Sequence, residues 1–177
     1  MISEKRKKEA ERNFRRYLEE GLLKKGTNDI AKEKYIENAD ISLRTANELI
    51  QGLLKPHIWV IVISYYAMFY IANAILLKYG YKTRDKIAHK VTNEALIVLI
   101  LDKIKKGLLE DYETIQQDAL EIANAKAESI VESYSLELEK RSRFQYNMLE
   151  VIKENKAQTS FKRATEFVFE IKKLLRE

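Results

Sequence analysis

Residues 58–77 read IWVIVISYYAMFYIANAILL, twenty consecutive residues without a formal charge. The rest of the chain is very different, because Asp, Glu, Lys and Arg make up 33% of its 177 residues. An α-helix rises about 1.5 Å per residue, so this run is long enough to cross the hydrocarbon core of a membrane. It is equally suited to a central helix that is surrounded by other helices.

Polar side chains within the run favour the second structure. They are Ser64, Tyr65, Tyr66, Tyr70 and Asn73. A single helix in lipid leaves such groups without hydrogen-bond partners, whereas neighbouring helices can supply them. Small side chains also recur along one face, at Ser64, Ala67 and Ala74, which allows another helix to approach closely. The run therefore predicts the buried central helix of a bundle, and no membrane association.

Composition predicts the same class of fold. Five glycines and one proline are few for a protein with many sheet turns, so we expect an all-α antiparallel bundle of five or six helices in a single domain, residues 1–177. The absence of cysteine excludes disulfides and thiolate metal sites. No metal site, cofactor or signal peptide is expected, which suits a cytoplasmic protein. Abundant Lys, Glu and Ile also suggest a thermophile.

Capping residues divide the chain into helices. Ser3 is placed to begin, and Gly26 to end, a basic N-terminal helix within residues 1–26. Asn28 or Asp29 begins the core bundle, residues 28–177, and Pro56 suits the first position of the central helix. A long acidic helix is expected from about residue 108 to 146, and a last amphipathic helix over 158–175.

Charge is distributed unevenly over these helices. The first helix carries seven basic side chains on its outer face: Lys5, Arg6, Lys7, Lys8, Arg12, Arg15 and Arg16. That face is either an ordinary solvated surface or a phosphate-binding one. The acidic helix has nine acids between Glu110 and Glu139, which argues against nucleic acid binding at that surface.

The central segment also resembles a known family. Residues 64–83, SYYAMFYIANAILLKYGYKT, are followed by a basic pair and His89, and the order of residues is similar to the central segment of the HEPN family. Residues 31–50, AKEKYIENADISLRTANELI, resemble the first conserved helix of that family. The resemblance implies an HEPN-like bundle that forms a homodimer and binds RNA or a nucleotide. It also implies a two-part system with a small nucleotidyltransferase, in which this chain is a toxin-type subunit or its inactive relative.

The family's ribonuclease motif is altered in this chain. Family members carry an arginine followed four to six residues later by a histidine, and two such motifs meet across the homodimer to cut RNA without metal. The corresponding residues 138–150 read LEKRSRFQYNMLE, with Tyr146 and Asn147 where a histidine would follow Arg141. Tyrosine titrates near 10 and asparagine does not titrate, so neither replaces the base. The resemblance therefore predicts binding without strong catalysis.

The same stretch is a candidate ligand-binding face. Arg141 precedes it, and helical spacing places Arg143, Tyr146, Asn147 and Glu150 together. Arginine offers forked donors to a phosphate, and a tyrosine ring can stack on a base. An ion-pair network at a dimer seam explains the cluster equally well.

One histidine matches the family's spacing elsewhere. Arg84 and His89 form an R-x4-H pair, which makes a metal-independent ribonuclease an alternative function. His89 is otherwise a structural residue at a helix start. A third possibility is a purely structural dimerisation module that holds a partner protein.

Overall fold

The computed structural model describes residues 2–54, 56–84, 87–105, 107–133 and 143–177, with the side chains of residues 123–153 outside that description. Within the described residues the chain forms six α-helices and two short strands. In chain order they are α1 (Glu4–Glu19), β1 (Leu23–Lys25), α2 (Asp29–Gln51), α3 (His57–Lys78), β2 (Tyr81–Thr83), α4 (Ala88–Ile100), α5 (Gly107–Ser133) and α6 (Arg143–Arg176). A single 3-10 turn, Leu101–Lys103, follows α4. The predicted all-α bundle is confirmed as a class of fold.

The uncharged run forms α3, which packs against α2, α4, α5 and α6. Ser64, Ala67 and Ala74 are completely buried, as the small-residue strip predicts. Ser64 Oγ nevertheless has no hydrogen-bond partner among the described residues. Of the helices described, α3 alone is long and apolar enough to cross a membrane. In its most apolar stretch of 18 residues, 72% is buried in the bundle. Buried core helices share this length and composition.

The helix starts follow the predicted caps closely. Ser3 Oγ accepts a hydrogen bond of 3.2 Å from the Arg6 amide, and Asn28 Oδ1 accepts one of 2.9 Å from the Ala31 amide. Pro56 occupies the N-cap of α3, one position before the predicted one, because the helix begins at His57.

Two predicted helix bounds were wrong. The first helix ends at Glu19 instead of Gly26, because Gly21 adopts a left-handed φ of 68° that turns the chain into β1. The last helix includes the residues from Arg143 onward instead of beginning near residue 158, so the candidate residues from Arg143 onward belong to α6. The acidic helix is described as far as Ser133, and the stretch that follows it lies outside the described residues.

The two strands form an antiparallel ribbon whose inner face packs on the core. Leu23 pairs with Thr83 in register, and Leu23 is almost fully buried. Thr83 Oγ1 donates a hydrogen bond of 2.9 Å to Asn73 Oδ1 of α3. The Tyr81 ring meets the Phe14 ring of α1 edge-on, with centroids 5.2 Å apart. The ribbon is therefore anchored to both α1 and α3.

Candidate functional site

The outer face of the ribbon is basic. Lys24 pairs in register with Lys82, so their side chains leave the same face. Arg84 lies two residues after Lys82, and its amide donates a hydrogen bond of 3.0 Å to the carbonyl of Leu22. This backbone pairing continues the alternation and places Arg84 on the face that carries the two lysines. We call Lys24, Lys82 and Arg84 the basic ribbon face.

The basic ribbon face borders an open groove of about 620 Å³ that Glu20 and Gly21 also line. None of its three cations forms an ion pair with a described residue. Like charges placed directly opposite on paired strands destabilise a ribbon, and this repulsion is relieved when an anion binds between them.

Two glycines close one end of the ribbon, next to the pair Lys25 and Tyr81. Gly80 has a φ of 81°, and a Cβ built at this position would meet no atom within 4 Å. Gly26 lies across from it, since its amide donates a hydrogen bond of 2.9 Å to the Gly80 carbonyl.

A second polar group surrounds His89 in the first turn of α4. His89 Nδ1 lies 2.6 Å from Tyr65 Oη, and Gln116 Nε2 donates hydrogen bonds to Tyr65 Oη at 2.9 Å and to the His89 carbonyl at 3.0 Å. The imidazole contacts the Phe69 ring in a tilted arrangement, with centroids 4.3 Å apart, and meets the Tyr66 ring edge-on at 6.1 Å. The histidine is thus fixed between α3 and α5.

These contacts define the protonation of the pair. Burial raises the pKa of Tyr65 to about 12, so its hydroxyl keeps its proton near neutral pH. Tyr65 Oη accepts a hydrogen bond from Gln116, so the hydroxyl hydrogen of Tyr65 is available for donation to His89 Nδ1. His89 is then neutral with its ring hydrogen on Nε2, and burial lowers the pKa of His89 below its ordinary value of 6.5.

The lowered pKa of His89 predicts a specific pH dependence of stability. Below pH 6.5 the unfolded chain binds a proton at this histidine more readily than the folded chain does. The stabilisation is therefore fully present above pH 6.5 and is lost as the pH falls through that value towards the lower folded pKa. Thermal melts of wild type and His89→Gln should differ most above pH 6.5 and converge at lower pH, and a difference that stays constant from pH 5 to 8 would contradict the shift.

The structure assigns Arg84 and His89 to different surroundings. Arg84 is exposed on the basic ribbon face, whereas the described contacts of the His89 ring are with Tyr65, Tyr66 and Phe69. The described hydrogen bond of the His89 side chain is the one with Tyr65. Their joint catalytic role stays a prediction without a described contact to support it.

The candidate ligand-binding residues from Arg141 to Asn147 lie where side chains are outside the described part of the chain. Arg141 lies outside the described residues, and the side chains of Arg143, Tyr146 and Asn147 lie outside the described part of α6. The ligand-binding face predicted there stays a prediction. In the described part of the chain, no three His, Asp or Glu side chains come together in a way that could hold a metal ion.

The basic face of α1 divides into two groups. Arg6 turns inward, where its guanidinium donates to Glu94 at 2.7 Å and to Glu113 at 2.9 Å. Lys8 and Arg12 line open surface grooves along the outer face of the helix, together with Glu9, Glu11 and Glu19. The outer face is therefore of mixed charge, and Arg6 is a structural residue.

No family model matches the chain, and neither a curated protein nor a solved structure matches it.

Proposed function

We propose that this protein binds RNA or a nucleotide through its phosphates, without strong catalysis. The observation that carries the proposal is the basic ribbon face, where Lys24, Lys82 and Arg84 line one groove and form no ion pair with a described residue. Glu20, which lines the same groove, pairs with Arg16 of α1. A net charge of +5 would further attract a polyanion. Arginine provides a forked donor for a phosphate, and the paired lysines add two point charges beside it.

The HEPN resemblance supports the same class of ligand. On that basis we also propose an HEPN-like bundle, a homodimer, and a nucleotidyltransferase as the partner in a two-part system. Strong catalysis is not part of the proposal, because His89 Nδ1 is occupied by the hydrogen bond with Tyr65 and no described contact joins His89 to Arg84. The metal-independent ribonuclease and the structural dimerisation module stay as alternatives that the following experiment separates.

The test is binding of fluorescently labelled single-stranded RNA, followed by anisotropy at several salt concentrations. A variant with Lys24, Lys82 and Arg84 each replaced by Gln should bind about 10- to 100-fold more weakly at low salt. Because each phosphate contact on a single strand contributes about 0.7 to the slope of log K against log salt, the slope should decrease by about 2.

A matched variant controls for net charge. Lys34, Lys156 and Lys173 each form an ion pair on other surfaces, with Glu37, Asp118 and Glu170 respectively. Replacing these three by Gln removes the same charge and should leave most of the affinity intact. Equal losses in both triple variants would mean that binding is non-specific, and no binding by wild type at low salt would favour the dimerisation module. Cleavage of the RNA that disappears in His89→Ala would favour the ribonuclease.

A further inference from the structure

A row of basic side chains runs along the exposed face of α1. Its members follow one another at intervals of three or four residues, and all are exposed: Lys5, Lys8, Arg12 and Arg15. We call these four residues the cationic row. It extends for about 15 Å, since each residue of a helix adds about 1.5 Å. Among the described residues, the ion pairs of α1 use Arg6, Lys7 and Arg16, and none uses a cation of the row.

The acids of this face lie beside the cationic row or at its end. Helical spacing places Glu9 and Glu11 about 80° to either side of the centre line of the row. Glu19 stands one turn after Arg15, where the helix ends. The row itself is therefore uniformly positive until its last turn.

The cationic row leads into the basic ribbon face. Arg15 and Arg16 line a groove on α1, and Glu20 lines the groove of the ribbon. The two grooves are neighbours, because the side chains of Arg16 and Glu20 are 3.8 Å apart. A third groove continues along α1 and shares Lys8 and Arg12 with the first.

Most of the net charge of the chain is concentrated along these three grooves. Their linings contain eight cationic and four acidic side chains, which gives this side of the molecule a charge of +4. The net charge of the whole chain is +5, so the remaining residues are nearly neutral. An extended positive surface of this kind fits a ligand that carries many phosphates in line.

We propose that the ligand is a single strand of RNA several nucleotides long, which runs from the basic ribbon face along the cationic row. This proposal rests on the proposed function and selects an RNA strand over a free nucleotide. A free nucleotide can neutralise one group of cations, whereas a strand has a phosphate at every nucleotide and can neutralise both. An anionic membrane is a poorer occupant, because the apolar side chains of α1, Ala10, Phe14 and Tyr17, are buried in the core and cannot enter lipid.

The experiment compares uridine oligonucleotides of about 3 and about 15 nucleotides, by competition against the labelled RNA at several salt concentrations. A variant with Lys8, Arg12 and Arg15 each replaced by Gln should bind the long strand about 10- to 100-fold more weakly. The loss of three phosphate contacts should also decrease the salt slope of the long strand by about 2. The short strand should change by less than about 2-fold, because the basic ribbon face holds it. The triple Gln variant of the ribbon should weaken binding of both strands.

Glu19→Gln tests the same path in the opposite direction. It removes a carboxylate between the cationic row and the ribbon, so it should strengthen binding of the long strand about 2- to 5-fold and leave the short strand unchanged. Glu48→Gln is the matched control, because Glu48 is exposed on α2, and it should change neither affinity.

The triple Gln variant at Lys34, Lys156 and Lys173 again controls for net charge and should leave most of both affinities intact. Equal affinities of wild type for the two lengths, or an equal effect of the row variant on both, would overturn the extended path while leaving phosphate binding by the ribbon intact. Capture of wild type, but not of the row variant, by vesicles of phosphatidylserine and phosphatidylcholine, without a length effect on RNA, would assign the row to a membrane surface instead. Failure of wild type to bind either strand would reject the proposed function itself.

Discussion

Ala67→Glu should lower the melting temperature by about 8 °C or more, or prevent folding. Ala67 is completely buried on α3, within the small-residue strip that lets a neighbouring helix approach. A glutamate there adds volume and an unpaired charge to a closely packed core, and together these changes commonly remove about 4 kcal/mol or more. For a domain of this size, 1 kcal/mol shifts the melting temperature by about 2–4 °C. Circular dichroism at 222 nm during heating measures the effect.

Asn47→Glu is the matched control, because Asn47 is exposed on α2 and the same charge there remains in water. Its melting temperature should stay within about 2 °C of wild type. If Ala67→Glu also melted within that range, the buried position of α3 in a bundle would be wrong, and the alternative of a membrane span would need to be considered again.

The sequence predicted the parts of the fold that depend on local chemistry. The start of α1 was predictable because Ser3 can bond the Arg6 amide three residues later, and Asn28 acts in the same way for α2. Burial of α3 followed from its lack of charge and from its small side chains. These signals act within one turn or one helix face, which is the range over which a single sequence can be interpreted.

The ribbon could not be predicted by the same reasoning. Each strand has three residues, too few for an alternating pattern to be recognised, and its partners Leu23 and Thr83 are far apart in the chain. The ribbon nevertheless organises the candidate site, because only its register brings Lys24 beside Lys82. Arg84 was singled out for a different reason, its spacing from His89, and the sequence offered no signal that it belongs with the two lysines.

The residues around His89 were partly accessible from sequence. Tyr65 and Tyr66 were recognisable as polar groups in an apolar run. The burial of Tyr65 and the exposure of Tyr66, however, depend on where α4 and α5 pack. No sequence pattern marked Gln116 as a residue of the site. It became important only because α5 brings its side chain within 2.9 Å of Tyr65 Oη.

The second large effect is expected at Arg6, which joins three helices. Its guanidinium bridges Glu94 of α4 and Glu113 of α5, and Asn13 Nδ2 donates a further hydrogen bond of 3.2 Å to Glu94. The Glu94 side chain is only 5% exposed. Arg6→Ala therefore leaves a buried carboxylate without its cation, and removal of one partner of such a pair typically costs about 3–5 kcal/mol. Because Arg6 is itself partly exposed, we expect about 2–4 kcal/mol, measured by urea unfolding.

Two further variants separate the lost charge pair from lost packing. Arg6→Ala combined with Glu94→Gln removes the uncompensated charge, so it should recover at least about 1 kcal/mol relative to Arg6→Ala alone. Lys7→Ala breaks an ion pair to Asp102, whose side chain is 79% exposed, and should change the free energy of unfolding by less than about 1 kcal/mol. If the double variant were no more stable than Arg6→Ala, the loss would come from packing of the arginine stem. An effect of Lys7→Ala as large as that of Arg6→Ala would show that α1 is held by its surface charges, and that burial of Glu94 has no special role.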